Sequence, residues 1–207
     1  MAIIVIGRHS RSVGKTSVVA GLIAALPSHN WTAFKITQFG HGKCSLDGKP
    51  CHCATDDHTW AISEEKDSSA SSDSSRFLSA GAKRSFWVRT EQGRLAEAMP
   101  AIRRRIAESE NAIVESNSIL KFIRLDLYIT VLDPTTEDFK TSAQQLLDRA
   151  DAIVMHDAAD ADANPRWKGI SLKPAANRPM FRIHPPQYVT TDIIEFVASR
   201  LPLHPVP

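Results

Sequence analysis

At 207 residues, 43% hydrophobic and 23% charged, the chain can bury one α/β-sized core, and its composition is neither fibrous nor disordered. The net charge of +2 gives no footing for a nucleic-acid surface, and no apolar run approaches the roughly 20 residues of a membrane helix. The expectation is a cytoplasmic protein without nucleic-acid or membrane partners, in which disulfides are uncommon and the three cysteines need another account.

Ala2 to Ile6 (AIIVI) is too short for a signal-peptide core and reads as a buried strand. Gly7 to Ser17 (GRHSRSVGKTS) follows, and then Ser17 to Leu26 (SVVAGLIAAL), apolar on most sides, as expected of a helix packed on a sheet. Trp31 to Thr37 reads as a second strand. From Gln38 to about Ser72 there is no strand or helix signal, and a loop of that length is either functional or disordered.

Arg84 to Arg89 is a third strand, and Gln92 to Glu110 a helix that Pro100 is expected to kink or restart. Arg103, Arg104 and Arg105 fit one solvated face of that helix. Ala112 to Glu115, Leu127 to Leu132, Asp151 to Met155 and Met180 to Ile183 are further strands, with helices at Lys140 to Arg149 and Thr191 to Arg200. Strands alternating with helices imply βαβ units. The predicted fold is a single α/β domain over residues 1–207, a three-layer arrangement with a mostly parallel sheet, helices on both faces and an insertion at about 38–72.

The segment Gly14-Lys15-Thr16-Ser17 has the tail of a phosphate-binding loop. The usual spacing, G-x-x-x-x-G-K-[ST], puts a glycine where His9 stands, and Gly7 lies two residues earlier. Such a loop must join a buried strand to a helix N-terminus, so that backbone N–H groups and the helix dipole converge on phosphate oxygens. Both flanks are present. Ser12, Val13, Gly14, Lys15, Thr16 and Ser17 would cradle the phosphates, Lys15 would reach the β/γ-phosphates, and the Thr16 hydroxyl would bind Mg²⁺. The plain alternative is a strand–turn–helix with a chance GKT.

Mg²⁺ on a nucleotide is held by one or two carboxylates plus phosphates and waters. Glu115 and Asp133 each end an apolar strand, where ligands bind in open α/β sheets; Asp133 precedes Pro134 and would serve equally as a turn cap. Asp157 ends AIVMHD and would sit near the base or in a surface turn; without an N-K-x-D pattern, ATP and GTP both stay open. Cys44, Cys51 and Cys53 lie in one short window with His41, His52 and His58. Three thiolates with His41 or His58 would suit tetrahedral Zn²⁺, and incidental thiols on a loop are the alternative.

The segment VIGRHSRSVGKTSVVAGLIAAL resembles the start of P-loop NTPases of the SIMIBI class, namely the MobB-type protein of molybdopterin-guanine dinucleotide synthesis and, less closely, dethiobiotin synthetase. Lys35 in FKIT and Ala112 to Ser116 (AIVES) are similar to further segments of these families, and Asp73 to Ala82 (DSSRFLSAGA) resembles the MobB-type segment in which an Asp-Ser pair opens a helix ending in Ala-Gly-Ala. The resemblance implies binding of ATP or GTP with Mg²⁺, Glu115 as a metal carboxylate and Lys35 at the transferred phosphate. It also implies slow hydrolysis in cofactor assembly beside a cofactor-synthesis enzyme, and a two-fold homodimer.

Departures restrict what carries over. Ser116 replaces a family glycine, Ile36 a family histidine, Ser10 stands at the place of a signature lysine, and K-P-V is not reproduced after Lys35. Two alternatives stay open: a small-molecule kinase or ligase of the dethiobiotin synthetase type, and an NTP-coupled metallochaperone. The second would use the Cys loop and serve a metalloprotein, by analogy with nickel-insertion GTPases.

Overall fold

The computed structural model describes residues 1–39, 59–69, 71–158 and 165–202. The strands are β1 (Ile3–Arg8), β2 (Trp31–Phe39), β3 (Trp60–Glu64), β4 (Arg84–Glu91), β5 (Asn111–Glu115), β6 (Leu127–Leu132), β7 (Ala152–His156) and β8 (Met180–Ile183). The helices are α1 (Lys15–Ala25), α2 (Asp73–Ser79), α3 (Leu95–Ala107), α4 (Thr141–Gln144) and α5 (Thr191–Arg200). The described strands form one eight-stranded sheet in the order β3-β4-β2-β5-β1-β6-β7-β8. Each pairing is parallel except that of β3 with β4.

β1 lies at the centre, between β5 and β6, and is covered on both faces, which is why its sequence is a continuous apolar run rather than an alternation. Ile4 and Ile6 point to one face, where they join Val18, Leu22 and Ile23 of α1 and Ile193 and Val197 of α5. Val5 points to the other, among Phe34, Phe86 and residues Leu95, Met99 and Ile102 of α3. Leu132, Ile153 and Met155 form a smaller cluster with Trp167 beyond β6. Each fully buried side chain of this size contributes roughly 1.5–3 kcal/mol relative to exposure, so the two faces of β1 fix its position firmly.

Three expectations need correction. The region read as lacking strand or helix contains the end of β2, which runs to Phe39, and β3, while Ser72 caps α2. β3 is an edge strand, half-buried throughout, whose apolar signal is short. The helix expected from Gln92 begins at Leu95, after Gly93 turns the chain at φ 86°, and passes through Pro100 as one element to Ala107. Pro100 is exposed, so the carbonyl it leaves unpaired faces the solvent side. The stretch Lys140 to Arg149 is not one helix: α4 ends at Gln144, and Leu147–Arg149 forms a 3₁₀ turn that sinks Leu147 into the core. No helix among the described residues is long and apolar enough to cross a membrane.

Candidate functional site

The loop from β1 to α1 opens at the carboxyl end of the central strand. Gly14 caps α1 in the left-handed region at φ 76°, and its carbonyl accepts the first helical bond from the Val18 N–H at 3.0 Å. A Cβ there would lie 2.1 Å from a ring carbon of Tyr188, so glycine is required both by conformation and by close approach. Gly7 is needed for a different reason: a Cβ would meet the Tyr128 ring at 2.7 Å and the Asn117 side chain at 2.8 Å. Asn117 brackets the next residue, accepting from the Arg8 N–H at 2.8 Å and donating to the Arg8 carbonyl at 2.7 Å.

His9, in the place of the usual glycine, is fully buried and pins the loop to the far side of β6. Its Nε2 accepts from the Asp133 N–H at 2.9 Å, so its Nδ1 carries the proton and donates to the Asp138 carbonyl at 3.0 Å. Burial lowers its pKa, favouring that neutral form, and its ring lies against Phe139 and Trp167 at 4.9 and 5.0 Å between centroids. Ser10 adds a bond to the Asp138 carboxylate at 2.8 Å. The Val13 carbonyl meets His156 Nε2 at 3.0 Å. These contacts hold the lengthened turn from both sides of its Gly14-Lys15-Thr16 end.

Register places Glu115 between β1 and β2, opposite Ile6 on one side and Lys35 on the other. The carboxylate is fully buried and is shared. Thr16 Oγ1 donates to it at 2.9 Å, Lys15 Nζ approaches to 3.3 Å, and Lys35 Nζ donates to it directly. Lys35 also pairs with Asp73 at 2.6 Å, and Arg76 of α2 donates to Ser17 at 3.0 Å. Burial alone would raise the Glu115 pKa, but the charges of Lys15, Lys35 and Arg8 outweigh it and hold the group at about 2. Burial pushes Lys15 down to about 7, against the pull of Glu115 and with the push of Arg8 and Lys35.

These groups open on a cleft of about 1180 Å³. Ser12, Gly14, Lys15, Thr16, Ser17 and Lys35 line it; Val13 is buried beneath the loop. Ser116 is buried at the cleft edge, and its hydroxyl lies 3.0 Å from that of Ser118. Asp157 is not among the cleft-lining residues: it lies at the end of β7, 3.6 Å from Arg182 and 3.2 Å from His184. Asp133 accepts from the Thr135 N–H and hydroxyl and from the Thr136 hydroxyl, the bonding of a turn cap. Cys44, Cys51, Cys53 and His41, with His52 and His58, lie outside the described residues.

The cleft also gathers residues that no local pattern singled out. Arg8, Asn117, Lys140 and Tyr188 come from four separate segments and meet only through the sheet order.

No family model and no curated protein sequence matches the chain. Among solved structures, HypB from Helicobacter pylori in complex with nickel aligns with 96% of this chain and 84% of its own, at 15% identity and a TM-score of 0.49. LpxK from Aquifex aeolicus in complex with ATP aligns with 88% of this chain and 53% of its own, at 15% identity and a TM-score of 0.47. The chain thus spans about half the length of LpxK. By its own strand order, with helices on both faces, the chain has a three-layer α/β fold with a mostly parallel sheet and a strand–loop–helix start.

Proposed function

We propose that the protein binds a nucleoside triphosphate with Mg²⁺ and hydrolyses it slowly, as an accessory NTPase of the MobB type in cofactor assembly. The observation that carries this reading is the meeting of Lys15 and Thr16 on the buried Glu115 carboxylate, at the carboxyl end of the central strands. A chance GKT has no reason to share a buried acid with its lysine and its threonine. Thr16 and Glu115 offer the hard oxygen donors Mg²⁺ prefers and would hold it, and the ion would neutralise charge on the phosphate oxygens.

The chain's own groups account for the rest. The free N–H groups at the start of α1 and the helix dipole bind phosphate oxygens. Lys15, now against Glu115, turns to the β/γ-phosphates. Lys35, held between Glu115 and Asp73, supplies positive charge where the terminal phosphate leaves. The similarity of Lys35, Asp73 to Ala82 and Ala112 to Ser116 to MobB-type segments supports the finer assignment, since Lys35 bridges Asp73 and Glu115.

Calorimetry with ATP and with GTP tests this. Lys15→Ala is expected to abolish binding of whichever nucleotide the native protein takes, and an unchanged affinity would sink the reading. A second reading, a kinase or ligase acting on a small acceptor, draws support from the cleft. Its volume exceeds the roughly 300–1,000 Å³ of ordinary ligand pockets, and it extends past the loop to Trp87, Gln92 and Lys121. Slow turnover without any acceptor favours the first reading, and turnover only with an acceptor favours the second.

A further inference from the structure

We infer that the cleft contains a second anion subsite, built on Arg8 and Lys140, which takes a carboxylate or phosphate group of a small molecule bound beside the nucleotide. The inference rests on the nucleotide reading above and adds the chemical class of the second ligand.

Besides Arg11 and Lys121, the cations that line the cleft fall into two sets. Lys15, Lys35 and Arg76 are matched by carboxylates: Glu115 for the first two, Asp73 for the second and third. Arg8 and Lys140 line the same cleft, half-buried, and their charged groups have no hydrogen-bond or ion-pair partner among the described residues. The nearby acids are already engaged. Glu115 is shared by Thr16, Lys15 and Lys35, Asp73 is held by Lys35, and Asp138 accepts from Ser10.

Two partly buried cations in one cleft without a partner among the described residues are unfavourable. Burial lowers the pKa of both; Glu115 and Asp73 act on Arg8 with opposite charge and Asp138 does so on Lys140, while Arg11 repels Arg8 and both Arg8 and Arg11 repel Lys140. An oxyanion set between them would offset that cost, with a guanidinium fork suited to two oxygens and an ammonium to a third. The two side chains also spring from fixed backbone. Asn117 grips the peptide groups on both sides of Arg8, and the Lys140 N–H donates to the His9 carbonyl at 2.9 Å. Such a preformed pair loses little freedom on binding.

Inorganic phosphate is the probe. Calorimetric titration of the native protein saturated with Mg²⁺ and a non-hydrolysable nucleotide is expected to show one phosphate site. Arg8→Gln and Lys140→Gln should each weaken phosphate at least tenfold while changing nucleotide affinity less than threefold, and Arg8→Lys should recover part of the loss. Nucleotide-free Lys15→Ala should still bind phosphate through Arg8 and Lys140.

The inference is overturned if phosphate does not bind the nucleotide-loaded protein, or if the Gln variants bind it like the native protein. It is equally overturned if they lose nucleotide as Lys15→Ala does, which would make Arg8 and Lys140 part of the triphosphate site. Should the native protein bind no nucleotide, the function proposed above fails. Phosphate binding by Lys15→Ala, compared with Lys15→Ala/Arg8→Gln, then decides the subsite by itself.

Discussion

Lys15 is buried with more positive than negative charge around it, and its pKa of about 7 makes its proton negotiable near neutral pH. A triphosphate brings several negative charges to its ammonium and raises that pKa. The bound state therefore holds more protons than the free state, and binding takes up a proton wherever free Lys15 is partly neutral. Affinity should be greatest below about pH 7 and fall as pH rises above it, by up to about tenfold per pH unit until the bound-state pKa is reached. Calorimetry in buffers of different ionisation enthalpy reads the proton count directly. Zero uptake between about pH 6 and 9 would show that Lys15 keeps its full charge in the free protein. Glu115, held at about 2, stays ionised throughout and adds nothing to this profile.

At the level of elements, α2 is placed by Glu65, just past β3. Its carboxylate accepts from the Lys66 and Asp67 N–H groups at 3.0 and 3.1 Å and from the Ser72 and Ser74 hydroxyls at 3.0 and 2.9 Å. Ser72 in turn caps α2 by accepting from the Ser75 N–H at 3.0 Å. This hub fixes the first turn of α2, and so holds Asp73 against Lys35. Glu65→Ala should cost roughly 1–2 kcal/mol by loss of the cap support and its charge-assisted bonds. Hydrogen exchange should quicken in α2 while α1 stays protected; unchanged α2 amides would refute the hub. Family likeness pointed to a helix opening at Asp73, but the Glu65 hub and β3 were not legible in the sequence. β3 is an edge strand whose pairing is made by backbone, and only Trp60 and Ile62 pack against a core, too few for a periodic signal. β1 and α1 were legible because burial on all sides writes a continuous apolar run, and the loop between them is constrained by chemistry as well as packing. Lys35 and Glu115 were singled out by strand ends and family likeness. Arg8, Lys140 and Tyr188 were not, because only the strand order brings their segments together.

For the molecule as a whole, the cleft draws on the carboxyl ends of β1 and β2, the start of α1, the segment after β5, and α2. Those elements belong to both core layers: α1 and Phe77 of α2 pack on one face of the sheet, while Phe34 of β2 and Val114 of β5 face the other. A ligand seated there touches parts that unfold together, so its binding should raise the stability of the entire domain rather than of one loop. A ligand that binds only the folded state at about 100 times its Kd adds about 2.7 kcal/mol. For a chain of this size that corresponds to a rise in Tm of about 5–10 °C, at about 2–4 °C per kcal/mol. Thermal unfolding followed by circular dichroism should show this rise as one cooperative transition with the preferred nucleotide and Mg²⁺. The rise should shrink with EDTA, because Thr16 and Glu115 then lose the ion they would hold. Lys15→Ala should show no rise at the same nucleotide concentration. A native protein whose Tm is unmoved by millimolar ATP and GTP with Mg²⁺ would mean that the convergence of Lys15, Thr16 and Glu115 is structural support alone.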